Sequence, residues 1–105
     1  MATNKQKFNR KFGLDKDKSH SKASLTRLTG ISKKDLDEIF DRGTAAFYNN
    51  PSSVRKSVKS AEQWSYSRIY AFIMKTYDGI EKNKEKINQD NQLYLKYKRK
   101  GLKAP

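Results

Sequence analysis

The stretch 24–43, SLTRLTGISKKDLDEIFDRG, decides the fold. Ser24 is placed to N-cap a short helix that carries Leu25 and Leu28, and Gly30 ends it. Ser32 then caps a second helix, with Asp35 completing a weak capping box. Leu36, Ile39 and Phe40 give this second helix its apolar face, and Gly43 supplies a C-terminal stop. Two short helices joined by a tight Gly-Ile turn have helix-turn-helix spacing. Leu25, Leu28, Ile31, Leu36 and Ile39 fall where that motif buries its apolar residues.

Downstream, RGTAAFYNNPSSVR (42–55) reads as the corner that follows. Ala45, Ala46 and Phe47 offer one more helical turn. Pro51 stops it and pushes Asn50 toward extended backbone, and Pro-Ser-Ser turns the chain. Residues 60–77 form the main helix, opened by a capping box of Ser60 and Gln63. Tyr66, Ile69, Tyr70, Ile73 and Tyr77 share one face, while Trp64 and Ala71 lie opposite, the pattern of a sandwiched helix. Asp78-Gly79 is expected to end it. Trp64, Arg68, Arg42, Gly43 and Pro51 are assigned to the structural core. The stem of Arg68 is expected to cover Trp64. Both arginines are expected to bond backbone carbonyls of the 49–55 turn.

The flanks read differently. Residues 1–23 form a basic N-terminal arm with Phe8 and Phe12 as isolated anchors, 24–77 a helical core domain, and 78–105 a basic C-terminal extension. In that extension Asp90 is placed to cap a last helix with Leu93, Tyr94 and Tyr97 on one face. The expected fold is therefore all-α: a small helical domain whose helix-turn-helix-like pair packs on a central helix, with basic extensions at both ends.

Composition supports this division. The chain has 105 residues, 24 Lys and Arg, and 11 Asp and Glu, for a net charge of +13. Leu, Ile, Val and Phe together number 20 of 105. That lies just under the one-fifth mark at which, with high net charge, part of a chain fails to fold alone. Twelve of the 20 fall in 24–77, a unit small enough to be marginal by itself. Segment charges are +5 for 1–23, 0 for 24–43, +4 for 44–77 and +4 for 78–105. Such a molecule is drawn to polyanions.

Several function classes are disfavoured. The chain has no cysteine, hence no disulfide framework and no thiolate metal site. No apolar run approaches membrane-spanning length and the start lacks a signal-peptide core, so neither membrane insertion nor secretion by that route is expected. The one histidine, His20, sits in the polar arm beside no evident partner, so no nucleophile–base pair and no zinc site emerge. Asp35, Asp37, Glu38 and Asp41 read as a solvated helix face. No enzyme activity, metal, cofactor or small-molecule substrate is expected.

Nucleic acid is the favoured partner, DNA foremost, but not through the helix-turn-helix. Its second helix, KKDLDEIFDR, has three basic residues against four acidic ones, and the carboxylates repel phosphate. The candidates for an anionic partner are Lys5, Lys7, Arg10 and Lys11 in the arm; Arg55, Lys56 and Lys59 before the main helix; and Lys96, Lys98, Arg99 and Lys100 in the tail. Phe8, Phe12, Tyr94 and Tyr97, interleaved with them, suit base stacking or protein pockets alike. The alternative is a virion structural protein, a minor capsid or cement component whose arms bind larger capsid subunits.

Three motifs, FNRKFGL, LTGIS…L…IFDRGTAAFYNNPSSVR and SAEQWSYSRIYAF, add a resemblance. Arg42, Gly43, Ala46, Phe47, Asn50, Pro51, Ser53, Val54 and Arg55, followed by Glu62, Gln63, Trp64, Ser67, Arg68, Ile69, Tyr70 and Phe72, match a specific pattern. The chain thereby resembles a family of small basic proteins and domains of large DNA viruses and bacteriophages whose function is unknown. The resemblance covers about residues 8–77. It implies a viral origin, a location in the virion or the infected cell's cytoplasm or nucleus, and a shared small helical fold. It carries no catalytic residues over.

Overall fold

A computed structural model describes residues 3–49, 60–87 and 90–103. Among them are five helices and no strand: α1 (Asn4–Lys11), α2 (Lys22–Thr29), α3 (Lys33–Asn49), α4 (Ala61–Glu81) and α5 (Asn91–Lys100). The all-α expectation holds, and α4 is the central element, packed by α1, α3 and α5, with α2 against α3. The core comprises Phe8, Leu25, Ile31, Leu36, Ile39, Ile69, Ile73 and Tyr94, all fully buried, ringed by Tyr70, Phe72, Tyr77, Leu93 and Tyr97.

The α2–α3 pair has the expected turn. Gly30 adopts left-handed backbone, φ 82°, a conformation that L side chains disfavour. The first helix begins earlier than expected, however. Ser21, not Ser24, is the N-cap, its hydroxyl accepting from the Ser24 N–H at 3.2 Å.

Gly43 does not stop the second helix. It is buried inside α3, which runs on to Asn49. A Cβ at Gly43 would lie 2.9 Å from Cα of Ser65. The glycine thus permits α3 and α4 to cross nearly backbone to backbone, and that packing offsets its poor helix propensity, a cost of about 1 kcal/mol. Beside the crossing, the hydroxyls of Thr44 and Ser65 are 2.8 Å apart. Gly79 likewise does not end α4. The helix continues to Glu81, and Gly79 makes room for the Tyr94 ring of α5.

The segment expected as an arm forms α1 and sends Phe8, Asn9 and His20 into the interior. Thr3 and Gln6 form a reciprocal capping box on α1. Phe8 is fully buried, with its ring centroid 4.5 Å from Phe12, 5.3 Å from His20 and 5.5 Å from Tyr70. Sequence periodicity did not reveal this because Phe8 is the single apolar residue within α1. Tyr70 of α4 supplies the other side of the contact. His20 too is buried, with partners that the sequence left unidentified: Asn9 Oδ1 at 2.7 Å and Ser24 Oγ at 3.3 Å. Pro51, Arg55, Lys56 and Lys59, with the expected 50–55 turn, lie outside the described residues.

Candidate nucleic-acid interface

The fold first decides which charges are already spoken for. Arg42 of α3 and Arg68 of α4 converge on Asp90, whose side chain is 1% exposed. Arg42 Nη1 donates to Oδ1 at 2.7 Å, and Arg68 Nε donates to Oδ2 at 3.2 Å. Arg42 also donates to Glu38 at 2.7 Å. The bond to Asp90 is the main reason the Arg42 guanidinium is held still more firmly protonated than usual. The two arginines therefore tie α3 and α4 to the start of α5; apart from Asn49, the 49–55 turn whose carbonyls they were expected to bond lies outside the described residues. Asp90 precedes α5 in left-handed backbone, φ 54°, and makes no side-chain cap, because its carboxylate is committed to the arginines. Trp64 is partly buried, and its ring N–H is enclosed without a hydrogen-bond partner among the described residues.

A second tie fixes the other side of α5. Asp35 is buried and accepts from the Tyr97 hydroxyl and from Lys96 Nζ, the latter at 2.7 Å. Burial alone would raise its pKa, but the bonds from Lys96, Tyr97 and Ser32 outweigh that and hold it below its ordinary value. Asp35 is thus not part of a solvated face. Asp37 and Glu38 are paired as well, with Lys22 at 2.7 Å and Arg42 at 2.7 Å respectively.

These ties divide the expected phosphate contacts. Lys96 is committed to Asp35. Lys11 pairs with Glu81 at 2.9 Å, and Lys98 lies 3.7 Å from Glu85 and bonds the Lys84 carbonyl. Lys5 bonds the Ser19 hydroxyl at 3.2 Å. Lys7, Arg10, Arg99 and Lys100 make no ion pair among the described residues.

Tertiary structure then joins the two flanks. After α5, residues 101–103 cross the end of α2. The Lys103 N–H donates to the Thr29 carbonyl at 2.9 Å, and Lys103 Nζ donates to the Arg27 carbonyl at 3.2 Å. The Tyr77 hydroxyl donates to the Lys103 carbonyl, and burial pushes this phenol up to about 12, so it remains a donor. On the other side of Tyr77 stands the end of α1, with Phe12 at 5.9 Å and Lys11 Nζ 5.1 Å from the ring centroid. The C-terminal ends of α1, α2 and α5 thus gather around Tyr77. Their last turns carry Arg10 and Lys11, Arg27, and Lys98, Arg99 and Lys100.

Cations at helix C-termini stabilise the helix dipole, by about 0.3–1 kcal/mol each. Here the same placement also builds a basic end. Arg10, Arg27, Arg99, Lys100 and Lys103 are all without an ion pair among the described residues. Arg27 and Lys103 were absent from the sequence-derived set. Arg27 sits in a segment of zero net charge, and Lys103 lies beyond the obvious KYKRK run. The one available signal was position: Arg27 lies three residues before the helix-ending Gly30, so its side chain had to project near a helix end.

Fold and charge together define a small all-α protein with a tied end and a basic end. The chain belongs to the family of unknown function DUF5824, whose model matches residues 1–94. The match includes α1 to α4 and the start of α5, and leaves Arg99, Lys100 and Lys103 outside. No curated protein and no solved structure gives a significant match. Among the described residues no helix is long and apolar enough to cross a membrane.

Proposed function

We propose that this chain is a virus-encoded, non-enzymatic nucleic-acid-binding protein, with DNA favoured, that grips backbone phosphates with its basic end. One observation carries the reading. Cations from both chain flanks and from α2 sit on the helix ends that meet at Tyr77, and Arg10, Arg27, Arg99, Lys100 and Lys103 make no ion pair among the described residues, in a molecule of net charge +13. Clustered cations of this kind release counterions when they meet phosphates, and that release is the main source of sequence-independent affinity. The viral origin rests on the motif pattern of residues 42–55 and 62–72.

Base reading by α3 is disfavoured. Its apolar face is buried on α4, and Asp35, Asp37 and Glu38 keep it acidic even though each is ion-paired. The mode is therefore phosphate contact with little sequence preference. The alternative virion role, with arms threaded between capsid subunits, ranks second. It requires α1 or α5 to leave a core in which Phe8 and Tyr94 are fully buried.

Filter binding to a generic duplex across a salt series tests the reading. Retention at low salt with a steep, linear loss in log–log form is expected. No retention even at low salt would overturn it. Recovery of the protein in fixed stoichiometry with purified particles, without nucleic-acid affinity, would favour the virion role instead.

A further inference from the structure

A cavity of about 580 Å³ opens between the start of α1, the 17–20 segment and the first turns of α4. Tyr66 and Tyr70, one turn apart on α4, give it an aromatic wall. His20 forms its floor and is fixed on both ring nitrogens by Asn9 and Ser24. Asn9 is itself anchored, its Nδ2 donating to the Lys16 and Lys18 carbonyls at 2.9 Å each. Burial, then the charges of Lys18 and Lys5, depress the His20 pKa. Burial also pushes Tyr70 up to about 12. The His20 ring is therefore held at two points, and its lowered pKa favours the neutral form near pH 7.

Among the described lining residues the carboxylates outnumber the cations. Of the eleven carboxylates, Asp15, Asp17, Asp41 and Glu62 make no ion pair among the described residues. Asp17 and Glu62 both line this cavity, and Lys5 is the one cation among its described lining residues. Gln6 Nε2 donates to Asp17 at 3.2 Å, and Lys5 is turned to Ser19. Two carboxylates disfavour a phosphate here. They suit hydrogen-bond donors on a flat, uncharged ring, which the partly exposed Tyr66 can stack. Amino-bearing nucleobases have that chemistry, since carboxylates accept from exocyclic amino groups and aromatic side chains stack on bases of a single strand. The volume lies within the usual range of small-ligand pockets, about 300–1,000 Å³.

We propose that this cavity receives one unpaired, amino-bearing nucleobase (cytosine, adenine or guanine) from a strand whose phosphates lie on the basic end. The inference rests on the nucleic-acid reading above. Helix α1 connects the two places: Lys5 lies at the cavity and Lys11 beside Tyr77, about 9 Å apart along the helix. One strand can reach both.

NMR titration of the full chain tests this, because its single histidine gives unambiguous ring signals. An oligodeoxycytidine is expected to shift His20 and Tyr66 together with Arg27 and Lys103. A fully paired duplex should move only Arg27 and Lys103, and an oligothymidine, which lacks amino groups, should leave His20 unmoved. Oligodeoxycytidine binding that moves Arg27 and Lys103 but not His20 would overturn the base pocket and leave the phosphate-binding reading standing, as would equal His20 shifts with oligothymidine. Should no oligonucleotide bind at all, the phosphate-binding reading fails, and free cytidine against free thymidine then tests the cavity alone: a His20 shift with cytidine only supports it, and no shift ends it. Tyr66→Leu is expected to weaken cytidine binding about tenfold or more through lost stacking. The exposed Asp17→Asn, which spares the packing between Tyr66 and Phe40, should instead erase the preference for cytidine over thymidine.

Discussion

The two ends of α4 use the same residue types for opposite purposes. Toward its N-terminal half the helix crosses α3 at Gly43, and Arg68 shares the buried Asp90 with Arg42. Backbone contact is close there and charge is cancelled. Toward its C-terminal end Tyr77 meets the ends of α1 and of the segment after α5, and Arg10, Arg27, Arg99, Lys100 and Lys103 make no ion pair among the described residues. The contrast teaches that cation content alone says little about binding. An arginine that meets a buried carboxylate is consumed by the fold, whereas one at a helix end without a carboxylate nearby is left unpaired.

The comparison can be broken most severely at the crossing. Gly43→Val places a branched side chain where even a Cβ would meet Ser65 backbone at 2.9 Å. Overpacking of this kind costs about 1–3 kcal/mol, occasionally more, and the backbone contact places this variant at the upper end. A urea melt should show the loss. Unchanged stability would mean that α3 and α4 do not cross closely. Next, Asp90→Ala leaves two arginines facing each other. Breaking a fully buried pair costs about 3–5 kcal/mol. Because Arg42 and Arg68 retain some solvent access, about 2 kcal/mol is expected by denaturant titration. Nucleic-acid affinity of the folded fraction should stay the same or rise, since Arg68 is released while Arg42 keeps its pair with Glu38.

At the other end the outcome reverses. The double variant Arg27→Ala with Lys103→Ala should lose less than about 1 kcal/mol of stability. Its binding should nonetheless lose about two units from the slope of log affinity against log salt. An unchanged slope, measured by filter binding, would remove these two residues from the interface.

The smallest effect sharpens the boundary between the ends, where His20 packs near Phe8 and Tyr70. Its pKa in the folded protein lies below the ordinary 6.5, owing to burial and then to Lys18 and Lys5. The unfolded chain therefore takes up the proton first, and stability falls as pH drops below about 6.5. His20→Gln should flatten that part of a stability-against-pH curve. Asp35 acts further down. Its folded pKa is below the ordinary 3.8, so its contribution is complete above that value and is lost as pH falls through the lowered one.

Much of the fold could be read from local chemistry. The Gly30 turn, the Ser60 cap and the apolar face around Ile69 and Ile73 follow from turn, capping and periodicity rules that act within a few residues. The errors also have a common cause. Gly43 and Gly79 looked like helix ends because glycine has poor helix propensity. Both lie inside helices because Ser65 and Tyr94, 22 and 15 residues away, require the space. Phe8 looked like an isolated anchor, yet its contact with Tyr70 lies 62 residues along the chain.

The candidate interface divides in the same way. Sequence alone determined the all-α class, the central helix, the excess of positive charge and the cations Arg10, Arg99 and Lys100, since composition and short-range periodicity suffice for these. Tertiary structure alone decided that Arg42 and Arg68 are consumed by Asp90, that Lys96 belongs to Asp35, and that Arg27 and Lys103 lie with the last turn of α1 at the Tyr77 end of α4. The physical reason is that a charge's role depends on which opposite charge lies within a few ångströms, and that distance is set by how the helices pack.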